Sequence, residues 1–252
     1  MNNEQNTFYT SISTYYSEIF PYRPMQLRFV KKGVGELEGK SLLDIGCATG
    51  ELAYQLANSG ANLIGIDLNE KLLAQAKTNK KHPNLVFQTG NMLELKNDFQ
   101  IEQFDTILCF GNTLVHLPAV ELIKHMLNGV FAVLKPGGQF FLQILNYDYI
   151  LDKKLAELPL IETDNIRFVR KYKFKKSGAL IRFITDLHIK KENETISNQT
   201  TLLALKSNRL IELLKEAGFS DIQLFSNFKQ ETFGGKHLPM VLSCRKYKMG
   251  LL

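Results

Sequence analysis

The stretch Ser41-Leu42-Leu43-Asp44-Ile45-Gly46-Cys47-Ala48-Thr49-Gly50 constrains this chain more than any other. A short apolar run, fit for a buried strand, passes directly into a turn of small residues. The turn opens the helical pattern of 50–59, which carries Leu52 and Leu56 on one face. Small side chains there let the backbone approach a ligand closely at the carboxyl end of a first strand. Strand, glycine turn and helix in that order commit the chain to an α/β layer architecture.

The rest of the chain agrees. Short apolar strands at 62–66, 85–88, 104–110 and 139–144 alternate with helical stretches at 70–79 and 118–134. Leu134-Lys135-Pro136-Gly137-Gly138 reads as a turn that stops the last helix and feeds the next strand. An amphipathic helix at 208–217, stopped by Gly218, and strands at 222–225 and 240–244 complete the pattern. The expectation is a doubly wound, mostly parallel, seven-stranded sheet of Rossmann-like type with helices on both faces. Ahead of it, 1–35 is rich in Tyr and Phe, with helical spacing over 14–20, a break from Pro21 to Pro24 and a second helix over 25–34. Within it, 166–174, 180–189 and 195–205 alternate, and Ser177-Gly178 sits like a hairpin turn. The expected organisation is a helical cover (1–35), an α/β core (36–147 and 207–246) and an inserted antiparallel lid (148–206).

Composition narrows the setting. In 252 residues, 44% are hydrophobic and 22% charged, as in ordinary globular proteins rather than disordered ones. Apolar runs fall far short of the ~20 residues of a membrane helix. The first residues are polar and free of Lys and Arg, unlike a secretion signal. Three cysteines in no C-x-x-C pair suit a reducing, cytoplasmic home. The net charge of +6 is local: 165–191 holds nine Lys or Arg against one Asp. Three readings stand for that segment: an edge guarded by solvated lysines, recognition of an acidic small molecule, or nucleic-acid binding. Strand alternation puts Phe168, Arg170, Tyr172 and Phe174 on one face, and Arg167, Val169, Lys171, Lys173 and Lys175 on the other. Nucleic acid is disfavoured, because base stacking wants aromatics among the exposed cations.

At the glycine turn the spacing is G-x-A-x-G rather than the dinucleotide fingerprint G-x-G-x-x-G, and Asp44 stands two residues before Gly46. An acid so placed would repel a diphosphate and suits a cofactor with an ammonium and a sulfonium, S-adenosyl-L-methionine. The alternative is a tight turn with no ligand. Asp67 closes the second strand, placed either to accept from ribose hydroxyls or simply to meet solvent. After the third strand, Asn91 is placed to read the adenine amino edge and Met92 to lie against the ring, although a loop Met also serves as core filler.

In this order and spacing the motifs resemble the class I S-adenosylmethionine-dependent methyltransferases, over Tyr16 to about Arg245. Cys109-Phe110-Gly111-Asn112-Thr113-Leu114-Val115-His116-Leu117-Pro118 and Asn146-Tyr147-Asp148-Tyr149-Ile150-Leu151 are similar to the glycine N-methyltransferase-like branch. The resemblance implies that Gly46, Ala48 and Gly50 face the methionine part of the cofactor, Asp67 the ribose, and Asn91 and Met92 the adenine, with Asp44, Cys47, Leu68 and Phe110 also counted among the cofactor-binding residues. It places Tyr16 beside the sulfonium and Arg23 on the cofactor carboxylate, unless both merely pack as cover. Asn112 falls at the substrate, and His116 one turn further on, as a base or as a structural residue. Tyr16 is the other candidate catalytic group; Arg170 and Tyr172 are expected to line the substrate side of the lid. Glycine-methylating members carry an arginine where this chain has Leu145, which cannot pair a carboxylate, so glycine is not expected as the acceptor. The implied activity is methyl transfer to a small-molecule acceptor, without a metal. An RNA or protein methyltransferase using the basic lid, and a non-catalytic nucleotide-binding domain, are the alternatives. The oligomeric state is left open.

Overall fold

The computed structural model describes residues 3–174, 179–234 and 236–247. Its N-terminal segment supplies α1 (Asn3–Ile12), a 3-10 turn (Ser13–Tyr15), α2 (Tyr16–Ile19) and α3 (Pro24–Val34). Alternation then runs β1 (Ser41–Ile45), α4 (Glu51–Ala57), β2 (Asn62–Asp67), α5 (Glu70–Asn79), β3 (Leu85–Thr89), α6 (Leu95–Asp98) and β4 (Phe104–Cys109). A second 3-10 turn (Thr113–His116), α7 (Val120–Val133), β5 (Leu134–Leu145) and α8 (Tyr147–Asp152) follow. Next come β6 (Ile161–Glu162), β7 (Ile166–Phe174), β8 (Leu180–Ile189) and β9 (Glu194–Leu203), and finally α9 (Ser207–Glu216), β10 (Phe219–Phe225) and β11 (Pro239–Lys246).

The main sheet has the order β10-β11-β5-β4-β1-β2-β3, with β11 antiparallel to both its neighbours and the other pairs parallel. The expected seven-stranded, mostly parallel fold is therefore the one formed. Both faces are covered: Phe29, Ala53, Leu56 and Leu73 of α3, α4 and α5 pack on one side, and Met126, Val130, Leu210 and Leu214 of α7 and α9 on the other. With both faces dry, strands must be largely apolar along their length, which is why Leu42, Leu43 and Ile45 of β1 and Ile107, Leu108 and Cys109 of β4 are all buried, with Asp44 the exception at the ligand end of β1. β6 to β9 form a separate four-stranded antiparallel sheet. Its pleat obeys the expected alternation: Ile166, Phe168 and Tyr172 are buried, while Arg167, Lys171 and Lys173 are exposed. Lys175 and the Ser177-Gly178 turn lie outside the described residues.

The N-terminal segment departs most from expectation. The first ten described residues form α1, which the sequence reading had not placed, and 14–20 divides between a 3-10 turn and the single turn of α2. The reason lies in packing. Phe8 and Ile12 are fully buried against Phe168, Leu187 and Ile189 of the second sheet, so a polar, weakly periodic segment becomes helical on a tertiary surface. Likewise 134–138 is strand rather than turn, with a register shift between Phe104 and Thr106 where β5 joins β4. Among the described residues, no helix is long and apolar enough to cross a membrane.

Replacing Phe8 with Ala removes the anchor of α1 while leaving the main core untouched. Amide exchange of 4–12 should rise sharply while β1, β4 and β5 stay protected; exchange rising equally in both regions would contradict this placement.

Candidate functional site

A cavity opens at the carboxyl ends of β1, β2 and β3, where an open α/β sheet places its ligand. Gly46, Ala48, Asp67, Leu68, Gly90 and Met92 line its floor. Tyr9 of α1, Tyr16 of α2, and Thr113 and His116 of the second 3-10 turn close it from above. Some 590 Å³ of space, part of it open to solvent, lies between these walls.

The floor is held by one carboxylate. Asp67 Oδ2 accepts from the Ala48 amide at 3.0 Å and its Oδ1 from the Asn69 amide at 2.8 Å, so the turns after β1 and β2 are tied to each other. Ala48 is thereby kept at a φ of 49°, a left-handed conformation unusual for a residue with a Cβ. Gly46 has a φ of 75°, and a Cβ there would stand 2.7 Å from Thr113, so the close approach of the two turns requires glycine. Buried Asn69 extends the clamp: its Oδ1 caps α5 at Leu72 and its Nδ2 donates to Asn6 and Thr10 of α1. Gln75 Nε2 adds a bond to Ser13 O at 3.0 Å, and the Ser17 and Thr49 hydroxyls meet at 3.1 Å. The N-terminal helices thus sit on the cavity through polar contacts rather than an apolar seam.

Asp44, at the end of β1, is 5% exposed just behind the turn. Burial, reinforced by the Asp67 charge, pushes its carboxyl up to about 7, and burial likewise raises Asp67 against the amides that stabilise its anion. Neither acid has a cationic partner among the described residues. The pair makes a negative, poorly solvated wall that a cationic ligand would relieve.

His116 Nε2 lies 2.8 Å from the Tyr9 hydroxyl, and its Nδ1 is buried without a partner. Desolvation pushes the imidazole down to about 4, so the ring is neutral at physiological pH.

The remaining expected residues lie elsewhere. Asn91 is beside the cavity, but its Oδ1 accepts from the Leu93 amide at 3.0 Å, in a turn of its own. Cys47 is buried in the core beneath the turn, and Gly50, at a φ of 75°, starts α4. Phe110 packs on Phe228, with ring centroids 5.0 Å apart, in the core. Arg23 is exposed at the start of α3 and does not reach the cavity, because the Pro21 to Pro24 break directs it to solvent. Asn112 is engaged at both ends: Oδ1 accepts from the Leu145 amide at 2.9 Å and Nδ2 donates to Tyr147 Oη at 3.2 Å. Leu145 packs against the core. Arg170 and Tyr172 lie on the inner face of β7. Tyr9, Thr113 and Gly111 belong to the cavity wall and escaped the sequence reading; Tyr9 lies in the helix that only tertiary packing creates.

A family model described as a methyltransferase domain matches residues 36–218. The structure of an S-adenosylmethionine-dependent methyltransferase from Clostridium acetobutylicum superposes with a TM-score of 0.79 at 17% identity, covering 97% of this chain and 100% of that one. The CcbJ methyltransferase from Streptomyces caelestis gives 0.78 at 20% identity, over 94% of this chain and 96% of that one. Sheet order, acidic glycine turn and edge cavity are those of the class I S-adenosylmethionine-dependent methyltransferases, and the chain belongs to their methyltransferase-domain family. Among curated proteins it is 32% identical over 128 residues to a ubiquinone biosynthesis O-methyltransferase of Coxiella burnetii, a match covering 50% of this chain and 52% of that protein. The chain therefore spans about half the length of the curated relatives it first matches.

The raised Asp44 carboxyl has a thermodynamic signature. Between about pH 4 and 7 the folded protein keeps a proton that the unfolded chain has released, so stability falls across that window as pH rises. Asp44→Asn removes this loss, worth roughly 4 kcal/mol for a shift of that size. By thermal denaturation the variant should melt above the wild type at pH 8, with the gap closing by pH 4.5; a constant gap would contradict the assignment.

Proposed function

We propose that the protein transfers the methyl group of S-adenosylmethionine to a small-molecule acceptor, with the second sheet acting as a lid over the acceptor. The carrying observation is the pair of carboxylates, buried Asp44 and half-buried Asp67, flanking a glycine turn with no cation paired to them among the described residues. That wall suits the cofactor's two positive centres, and the apolar Leu68 and Met92 suit its adenine. Asp67 holds the ribose with the lone pairs left by Ala48 and Asn69, Asp44 faces the ammonium, and Tyr16 lends its ring to the sulfonium.

When bound, the cofactor supplies an electrophilic methyl group. The protein's part is to align the acceptor in line with it and exclude water. α1 and the lid close the space above the floor. An imidazole near 4 accepts protons poorly at neutral pH, so His116 orients the acceptor rather than deprotonating it. An acceptor that attacks with its own lone pair is therefore favoured. Kinship to the glycine N-methyltransferase-like branch belongs to the same reading, through the stretches after β4 and β5, and Leu145 in the arginine position argues against glycine itself. A small-molecule rather than nucleic-acid partner fits, because among the described residues the Arg167, Lys171 and Lys173 face of β7 carries no aromatic, and a cytoplasmic setting belongs to the same reading.

The direct test is transfer of labelled methyl from the cofactor into small-molecule, RNA and protein fractions of a cell extract. Label in the first supports the proposal; label confined to RNA or protein would replace it. By calorimetry, S-adenosylhomocysteine should bind and NAD should not. Asp67→Asn should weaken S-adenosylhomocysteine at least tenfold while the variant remains folded; unchanged affinity would remove Asp67 from the ribose.

A further inference from the structure

The inner face of the second sheet breaks its own rule. An antiparallel sheet over a core alternates apolar-in and polar-out, and most of this one does. One cross-strand row, Phe168, Leu187 and Ile196, is apolar, and another, Phe174, Ile181 and Leu202, is apolar too. Between them the register aligns Arg170, Thr185 and Asn198 in one row, and Tyr172, Phe183 and Thr200 in the next. A polar stripe thus crosses a face otherwise built for burial.

The stripe is only partly satisfied: Asn198 Nδ2 donates to Ser11 Oγ at 2.8 Å, but its neighbours fare worse. Among the described residues Arg170 Nε, Thr185 Oγ1 and His116 Nδ1 are buried with no hydrogen-bond partner, and Tyr172 Oη has only the adjacent Tyr147 hydroxyl. Arg170, Tyr172 and Thr185 hold adjoining positions of the stripe, and His116 belongs to the 3-10 turn that packs on β9 and borders the cavity. Orphaned buried groups are rare and costly, so several along one sheet register and the turn beside it call for a common cause. A random scatter of packing faults would not follow a sheet register.

The surroundings connect this layer to the cavity. Tyr172 stands against Tyr147, whose hydroxyl accepts from Asn112, and Asn112 leads into the turn of Thr113 and His116. Arg170 gives one nitrogen to Pro159 O at 2.7 Å, and no carboxylate among the described residues pairs with it. In the tautomer in which the Tyr9 phenol donates to Nε2, the His116 proton sits on Nδ1, and that orphan is a donor as well. These groups thus include one charged donor, one neutral N–H and two hydroxyls able to donate.

We propose that the acceptor bears an oxyanion, a carboxylate or a phosphate, seated beneath the second sheet on Arg170 with Thr185 and Tyr172 completing its contacts. This rests on the methyl-transfer reading and names the substrate class for it. Arg170 anchors the anion at the end remote from the methyl group, and His116 Nδ1 donates to the acceptor nearer the cofactor. The basic outer face of β7 then plays no part in recognition; the inward Arg170 does.

The test uses the full chain saturated with S-adenosylhomocysteine. Benzoate and inorganic phosphate are titrated calorimetrically at constant ionic strength, with chloride as the reference anion. At least one probe should bind the wild-type complex, and Arg170→Gln should weaken it tenfold or more while S-adenosylhomocysteine affinity stays within twofold. Thr185→Val, which removes an orphan hydroxyl at nearly constant volume, should weaken the same probe without lowering the melting temperature. A purely structural hydroxyl would show the reverse, with lower stability and unchanged probe affinity. Equal probe binding by wild type and Arg170→Gln, or none by the wild type, overturns the oxyanion site. Failure to bind S-adenosylhomocysteine would instead overturn the methyl-transfer reading, so the two can fail separately. In the labelled-methyl assay, the product should be retained on an anion exchanger at pH 8; labelled product that is not retained would also overturn the proposal.

Discussion

Everything at the working edge of this protein depends on one carboxylate that sits between two turns. Asp67 accepts the Ala48 amide from the loop after β1 and the Asn69 amide from the loop after β2. Those bonds fix a left-handed Ala48 and bring the glycine turn against Thr113. Asn69, itself positioned by Asp67, caps α5 and grips α1. A single acid therefore organises the floor and, through one asparagine, the cover.

The same acid makes the site unfavourable by itself. Two carboxylates stand together, and the Asp44 carboxyl rises to about 7 because neither water nor a cation balances it. Above, Tyr9, Tyr16 and a neutral His116 supply aromatic faces and few charges. A floor that wants positive charge lies at the sheet edge, while the second sheet carries a cation without a carboxylate partner among the described residues. On the proposed reading the two layers suit a cationic cofactor below and an anionic acceptor above, rather than each other. Each stores desolvation cost that ligands of opposite sign would relieve.

The likeness to the solved structures is one of shape, with identities of 17% and 20%. Arg170, Thr185 and Tyr172 fall into line only through strand register, so their meaning is a property of pairing as much as of composition.

Local sequence determined the main sheet, the glycine turn and the acids at its rim. Strands dry on both faces leave near-continuous apolar runs, and a turn that must approach a ligand leaves small residues, so both are written locally. The alternation of β7 and β8 was legible for the same reason. Tertiary structure decided α1, whose ten residues lack a strong apolar face and become helical only against the second sheet. It decided that Tyr9 meets His116 across 107 residues, that Arg23 faces water, and that Asn112 is engaged by Leu145 and Tyr147. It also decided that Arg170 stands opposite Thr185. These outcomes depend on contacts between distant segments, and no periodicity within either partner encodes which segment the other will be.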